Sequence, residues 1–180
     1  GDLRARQMRV SADDSALLFM AALGADVIQI PLSDVIPGMQ TGLVEGGEQS
    51  TQIFALAGLD AVANHFALTH HSYSTAGVVA NKTWWDSLSD DDRMVYRNAV
   101  PNAQWYRGLV LERNALYLDR AIQSGLNVVY PTAVEQASWQ NIGQRIHSDL
   151  IEEIGGDAAG LYAEIMKAKE AYVLQSAGQR

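Results

Sequence analysis

The sequence predicts an α/β fold built around a mainly parallel sheet. Three observations carry that prediction: short apolar runs alternate with segments of helical periodicity, capping residues stand between the two kinds, and glycines such as Gly24, Gly42 and Gly125 stand where helical segments stop.

Taken in order, the first residues through Arg9 and Val10 read as a turn leading into a strand, as though the chain were entered in mid-domain. On that reading part of the working protein is expected to lie elsewhere. Asp13-Asp14-Ser15 then opens an amphipathic run, with acidic residues where they favour a helix N-terminus, and the spacing predicts a helix over 14–23. Gly24 suits a left-handed helix stop, residues 27–30 form a short buried strand, Ser33 is placed to start a helix over 34–41, and Gly42 to stop it. Leu43-Val44 begins the return strand, which ends in Glu45-Gly46-Gly47-Glu48-Gln49. Strand ends of this kind are where open α/β sheets bind small ligands.

Ser50 or Thr51 caps a helix to about residue 59, residues 66–69 resume the strand pattern, and Gly77-Val78-Val79-Ala80 reads as a further apolar strand. Trp84 to Leu88 makes a short helical turn. Ser89-Asp90-Asp91-Asp92 opens a longer helix whose apolar positions recur up to Gly125, about 35 residues, kinked or broken at Pro101. Such a length suits a bridge between two lobes. Residues 128–130 form the last strand, Thr132-Ala133-Val134-Glu135 is a second capping box for a helix to about residue 154, and Asp157 caps a final helix.

Bulk properties exclude several classes. A formal charge of −8 and a pI near 4.8 leave no basic stripe for coating phosphates, so no nucleic-acid partner is expected. No apolar run approaches the roughly 20 residues that span a bilayer. With no cysteine there is no disulfide, thiolate metal site or cysteine nucleophile.

The chemistry-bearing residues are few. Arg9, at the end of the first strand, offers the planar fork that receives a carboxylate through two parallel hydrogen bonds; a surface or interdomain ion pair is the alternative use. Gln49 carries a donor and an acceptor on a strand-end loop, fit for a ligand or for stabilising its own turn. Leu32 is core or pocket wall. His70 and His71 point to opposite sides of an extended chain, and His65 and His147 lack a helical ligand partner, so no metal is expected. His71 alone suits a cleft hydrogen bond or a structural one, and Tyr73 beside it a hydroxyl contact or an aromatic wall. Trp84 and Trp85 can stack on a ligand ring, although burial of apolar area explains them more simply. No phosphate loop, dinucleotide fingerprint or nucleophile elbow is present, and no cofactor is expected.

Several segments together carry a resemblance. Asp2-Leu3, Met8-Arg9-Val10, Ala22-Leu23-Gly24-Ala25, Ile30-Pro31-Leu32-Ser33-Asp34-Val35, Gln40 through Gln49, Leu68-Thr69-His70-His71 and Asn81 through Leu88 occur in the order found in solute-binding subunits of TRAP transporters, which they resemble. These are tripartite ATP-independent periplasmic systems, and the resemblance is to their dicarboxylate-binding type. It implies a type II periplasmic-binding-protein-like lobe, a long kinked helix bridging to a remnant of the other lobe, a periplasmic location, a small organic acid as ligand and membrane permease subunits as partners. It does not imply an enzyme.

By the same resemblance Arg9 matches the family arginine that pairs with the ligand carboxylate, although Ser11 replaces the proline of that segment. Gln49 stands where the family has an asparagine, Leu32 where an aromatic wall is usual, and His71 matches a histidine near the cleft. Residues 1–74 and 115–154 are expected to form the second ligand-binding lobe, 75–114 the crossover and long helix of the first, and 155–180 the C-terminal helix. The family's opening strands and helices have no counterpart here, so the isolated chain is expected to bind ligand weakly or not at all. The rival expectation is a cytosolic α/β enzyme acting on a carboxylate, with Glu45, Glu48 or His71 as general base.

Overall fold

The structure is a computed structural model and describes residues 3–73, 75, 77–100 and 102–177. Its elements are β1 (Gln7–Val10), α1 (Asp14–Ala22), β2 (Asp26–Gln29), α2 (Val35–Thr41), β3 (Gly46–Gly47), α3 (Thr51–Leu56), β4 (His65–Ala67), α4 (Lys82–Ser87), α5 (Asp90–Ala99), α6 (Ala103–Gln123), β5 (Asn127–Val129), α7 (Ala133–Ile154) and α8 (Ala158–Ala177). Short 3-10 turns occupy Leu32–Asp34 and Leu59–Ala61. The chain divides into two compact units, Gly1–Glu48 with Pro131–Arg180, and Gln49–Tyr130. The lobe boundaries expected near residues 74 and 115 fall inside the second unit.

The first unit holds a parallel sheet in the order β2-β1-β3, with Arg9 paired to Ile28 on one side and Gly47 on the other. Right-handed crossover sterics demand helices between parallel strands, and α1 and α2 supply them. Asp13 caps α1 by accepting from the backbone N–H of Ser15 at 2.8 Å and of Ala16 at 3.2 Å. Beyond its C-terminus Gly24 adopts φ +86°, and Gly42 ends α2 at φ +75°, the conformation glycine reaches without steric cost. Val10, Phe19, Met20, Val35 and Val44 form the buried core. Helix α7 starts from a complete capping box between Thr132 and Glu135 and packs on α1. Helix α8 is joined to α7 through His147 Nδ1 and the Tyr162 hydroxyl, 2.9 Å apart.

The second unit pairs β4 with β5 in parallel and sets α3 against α6. Phe54 and Phe66 meet at 4.7 Å between ring centroids, and Phe54, Leu59, Ala121 and Leu126 are buried. Arg93 closes α4 from α5, donating through Nε to the Trp85 carbonyl at 3.0 Å and through Nη2 to the Asp86 carbonyl at 2.9 Å. Among the described residues no helix is long and apolar enough to cross a membrane.

Two local expectations are corrected, the strand over 77–80 and the cap at Ser33, and the break expected in the long helix is located. Residues 77–80 form no strand: Val78 and Val79 are 81% and 92% exposed, because an apolar run becomes a strand only where a neighbour pairs with it. The long helix is two helices, α5 and α6, separated where Val100 turns extended and Asn102 caps the second by accepting from the N–H of Trp105 at 2.8 Å. Pro101, to which the break was assigned, lies outside the described residues. Ser33 does not cap α2; its hydroxyl donates to Asp34 Oδ1 instead, inside a 3-10 turn that begins at Leu32.

Candidate functional site

The carboxyl edge of the first sheet is built around Arg9. Strand β1 is central, so a side chain near its end is flanked by the loops leaving both neighbours, and Arg9 is only 4% exposed. Its Nε donates to the carbonyl of Ile30 at 3.1 Å, in the loop after β2, and its Nη1 points to the carbonyl of Glu48 at 3.5 Å, after β3. Gly47 makes this approach possible: a Cβ there would meet the Arg9 carbonyl oxygen at 3.0 Å and the Arg9 Cβ at 3.1 Å. Glu48 is bound to β1 from its backbone as well, donating its N–H to the Arg9 carbonyl at 3.3 Å.

Both acceptors of the guanidinium are neutral carbonyls. Among the described residues no carboxylate forms an ion pair with Arg9. A cation removed from water needs an anion or strong acceptors in compensation, and Arg9 has two carbonyls for five N–H donors. What remains of its fork is suited to an anion from outside the unit. Leu32 stands two residues past Ile30 on the same loop and is 38% exposed.

The other candidates belong to the second unit. Gln49 is half-buried, and its Oε1 accepts from the N–H of Ser50 at 2.9 Å, so half of its amide is engaged locally. His71, half-buried, has Nδ1 2.6 Å from the Thr69 hydroxyl, and the intervening His70 is held at φ +49°. Left-handed backbone at a residue with a Cβ is unfavourable, and it marks the turn just beyond β4 as constrained. Tyr73 is 89% exposed. Trp84 meets Tyr96 edge-on at 5.2 Å, and Trp85 lies beneath the Arg97 guanidinium at 5.4 Å, so both indoles are engaged within a helical pair. The structure thus brings Arg9 and Leu32 to one loop cluster and His71 to Thr69, while Gln49 serves its own turn.

Glu45 lies at the opposite, amino edge of β1. It accepts from the Gln7 N–H at 3.0 Å and from Arg6 Nη1 at 2.7 Å, and these bonds, the first foremost, lower its pKa below the usual carboxylate value. A carboxylate so stabilised is a poor general base. Among the described residues no group of three or more histidines and carboxylates is placed to hold a metal ion. Two contributors escaped the sequence reading: the Ile30 carbonyl and the strap formed by Gly47 and Glu48. The doubled glycine was their only visible signal.

Comparison with known proteins gives a consistent result. The profile described as "Bacterial extracellular solute-binding protein, family 7", DctP, matches residues 1–153. The C4-dicarboxylate-binding periplasmic protein of Rhodobacter capsulatus is 28% identical over 158 residues, covering 87% of this chain and 47% of that protein. The chain therefore spans about half the length of the curated relatives it matches. A TRAP periplasmic solute-binding protein of Marinobacter aquaeolei, in an apo open structure, superposes with a TM-score of 0.81 at 23% identity over 89% of this chain and 54% of its own. One from Chromohalobacter salexigens with bound D-glucuronate gives 0.77 at 21% identity, over 93% and 55%. At these identities the two structures speak for the fold, a periplasmic-binding-protein-like α/β arrangement.

Proposed function

Since the chain belongs to family 7 of the bacterial extracellular solute-binding proteins, the DctP family, we propose that it captures a small organic acid in the periplasm for delivery to the membrane permease of a TRAP-type transporter. Arg9 holds the ligand carboxylate. Leu32 shapes the wall beside it, and Gln49, His71 and Tyr73 contribute hydrogen bonds or surface to the rest of the ligand. The work is binding without chemical change, so no catalytic residue is assigned.

The observation that carries this reading is the buried guanidinium of Arg9, aligned by two backbone carbonyls and paired with no carboxylate among the described residues. A structural arginine buried to that degree is expected to have its counter-charge built in. One that awaits its anion has the preorganisation a binding site needs, because the cost of fixing the side chain is met before ligand arrives. The relatives' names include binders of C4-dicarboxylate, 2,3-diketo-L-gulonate and sialic acid, acids whose carboxylate offers Arg9 the same group.

A thermal-shift screen of organic acids on the protein as its gene encodes it tests the assignment. Acids that stabilise the wild type are expected to lose about 100-fold or more in affinity with Arg9→Ala, as follows from removing a charge-assisted bidentate contact. An acid whose stabilisation survives that substitution refutes the clamp.

A further inference from the structure

Two carbonyls aim Arg9, and they are held by unlike means. Ile30 is followed by Pro31, at φ −62°, and by a 3-10 turn that the Asp34 N–H closes on the Pro31 carbonyl at 3.0 Å. A proline and a closed turn stiffen that loop from within. Glu48 instead follows Gly46 and Gly47, residues with the greatest backbone freedom, and these two are all of β3 that pairs with β1. The loop that carries the second carbonyl draws its order from contacts outside itself.

Three hydrogen bonds hold Glu48 among the described residues. Its N–H donates to the Arg9 carbonyl at 3.3 Å, its carbonyl accepts from Arg9 Nη1 at 3.5 Å, and its Oε1 accepts from the Ser11 hydroxyl at 3.4 Å. All three are longer than the usual ~2.9 Å, so no single one fixes the residue. The first two end on Arg9, the group to be aimed, and the third ties Glu48 to a different residue. Ser11 is itself anchored: its carbonyl accepts from the Asp13 N–H at 2.8 Å, and Asp13 caps α1.

We propose that Ser11 is a positioning residue of the acid site, a hydroxyl latch that holds the glycine-rich strap so that the Glu48 carbonyl keeps Arg9 Nη1 on its aim. The inference rests on the reading that Arg9 holds the ligand carboxylate. Ser11 supplies no charge to the ligand and acts through Glu48. With the latch in place the strap is ordered before ligand arrives; without it, binding has to order the strap as well, and affinity falls accordingly. The loop at Ile30 is stiff on its own, so the loss is partial: one of the two aiming carbonyls drifts and the other stays.

Calorimetric titration of the protein as its gene encodes it, with D-glucuronate and succinate as probes, tests the latch on whichever acid binds the wild type more tightly. Ser11→Ala is expected to weaken that acid about three- to tenfold, the worth of one hydrogen bond. Ser11→Thr, which keeps the hydroxyl and suits the chain beside a strand, is expected to stay within about twofold of the wild type. In a Glu48→Ala background, where the latch has lost its acceptor, Ser11→Ala should change affinity by less than about twofold. Full affinity in Ser11→Ala overturns the inference, and so does a loss that Ser11→Thr shares or that multiplies with the loss in Glu48→Ala; in each of these cases an acid still lost in Arg9→Ala leaves the clamp standing. Undiminished binding in Arg9→Ala, or no binding of either acid by the wild type, removes the clamp and this inference with it.

Discussion

The two parallel sheets end differently. At the carboxyl edge of β2-β1-β3 a buried arginine is fixed by backbone from both flanking loops and pairs with no carboxylate among the described residues, whereas beyond β4 the side chains are matched close to home, His71 to Thr69, or stand in solvent, as Tyr73 does. The central position of β1 explains the contrast. A residue there is covered from two sides, so even a guanidinium is enclosed, while a two-stranded sheet has no central strand and cannot enclose anything at its edge. Strand ends attract ligands in general, and on the function proposed above it is the enclosed one, where desolvation and preorganisation come together, that turns a charge into binding energy.

The largest test of that contrast after loss of Arg9 itself is at Gly47. The added methyl of Gly47→Ala meets backbone and Cβ of Arg9 at 3.0–3.1 Å, atoms that cannot swing aside. Overpacking of this kind costs roughly 1–3 kcal/mol, and here it displaces the Glu48 carbonyl that aligns the fork. Chemical denaturation should show that loss, and calorimetry an accompanying drop in acid affinity of about tenfold. Gly108→Ala is the control: nothing lies within 4 Å of that Cβ in α6, so binding should be unchanged and stability equal or higher. Equal behaviour of the two variants would break the claim that the Arg9 edge is enclosed.

At the second edge the expected effects are smaller. Thr69→Val removes the hydroxyl 2.6 Å from His71 Nδ1, and His71→Ala removes the ring. Each should reduce acid affinity by about three- to tenfold, the worth of one neutral hydrogen bond, measured by titration beside Arg9→Ala. If His71→Ala costs as much as Arg9→Ala, the ranking of the two edges is wrong.

Much of the fold was legible because local chemistry and tertiary structure agree. The acidic Asp13-Asp14 pair does stand at the start of α1, Ser50 caps α3, Thr132 with Glu135 closes a capping box on α7, and Gly24 and Gly42 end their helices with positive φ. Failures arose where the outcome depends on a distant partner. The run 77–80 has strand composition and no described strand to join, and the return that begins at Leu43-Val44 pairs three residues later, at Gly46–Gly47, where a Cβ on Gly47 would meet the Arg9 carbonyl oxygen at 3.0 Å. The site was legible as one residue, Arg9, since a lone arginine at a strand end is visible in sequence. Its burial, and the two carbonyls that aim it, are products of sheet order and leave no mark on residue identity.

The amino edge of β1 supplies the smallest effect and a test with a defined sign. Glu45 accepts from the Gln7 N–H and from Arg6, and its pKa in the folded protein lies below the ordinary 4.5. The unfolded chain therefore binds the proton more readily in the interval between the two values, and the stabilisation is present above pH 4.5 and fades as pH falls through the lowered folded value. Both groups are exposed, so the pair contributes little, and salt weakens it further. Glu45→Gln should lower Tm slightly at pH 7, and the difference from wild type should shrink to nothing as thermal melts are carried well below pH 4.5. Acid affinity at pH 7 should not change, because Glu45 sits at the end of the strand away from Arg9. A Tm difference that persists at low pH would mean Glu45 acts through packing, and a loss of affinity would mean that the two ends of β1 are not as independent as the sheet makes them.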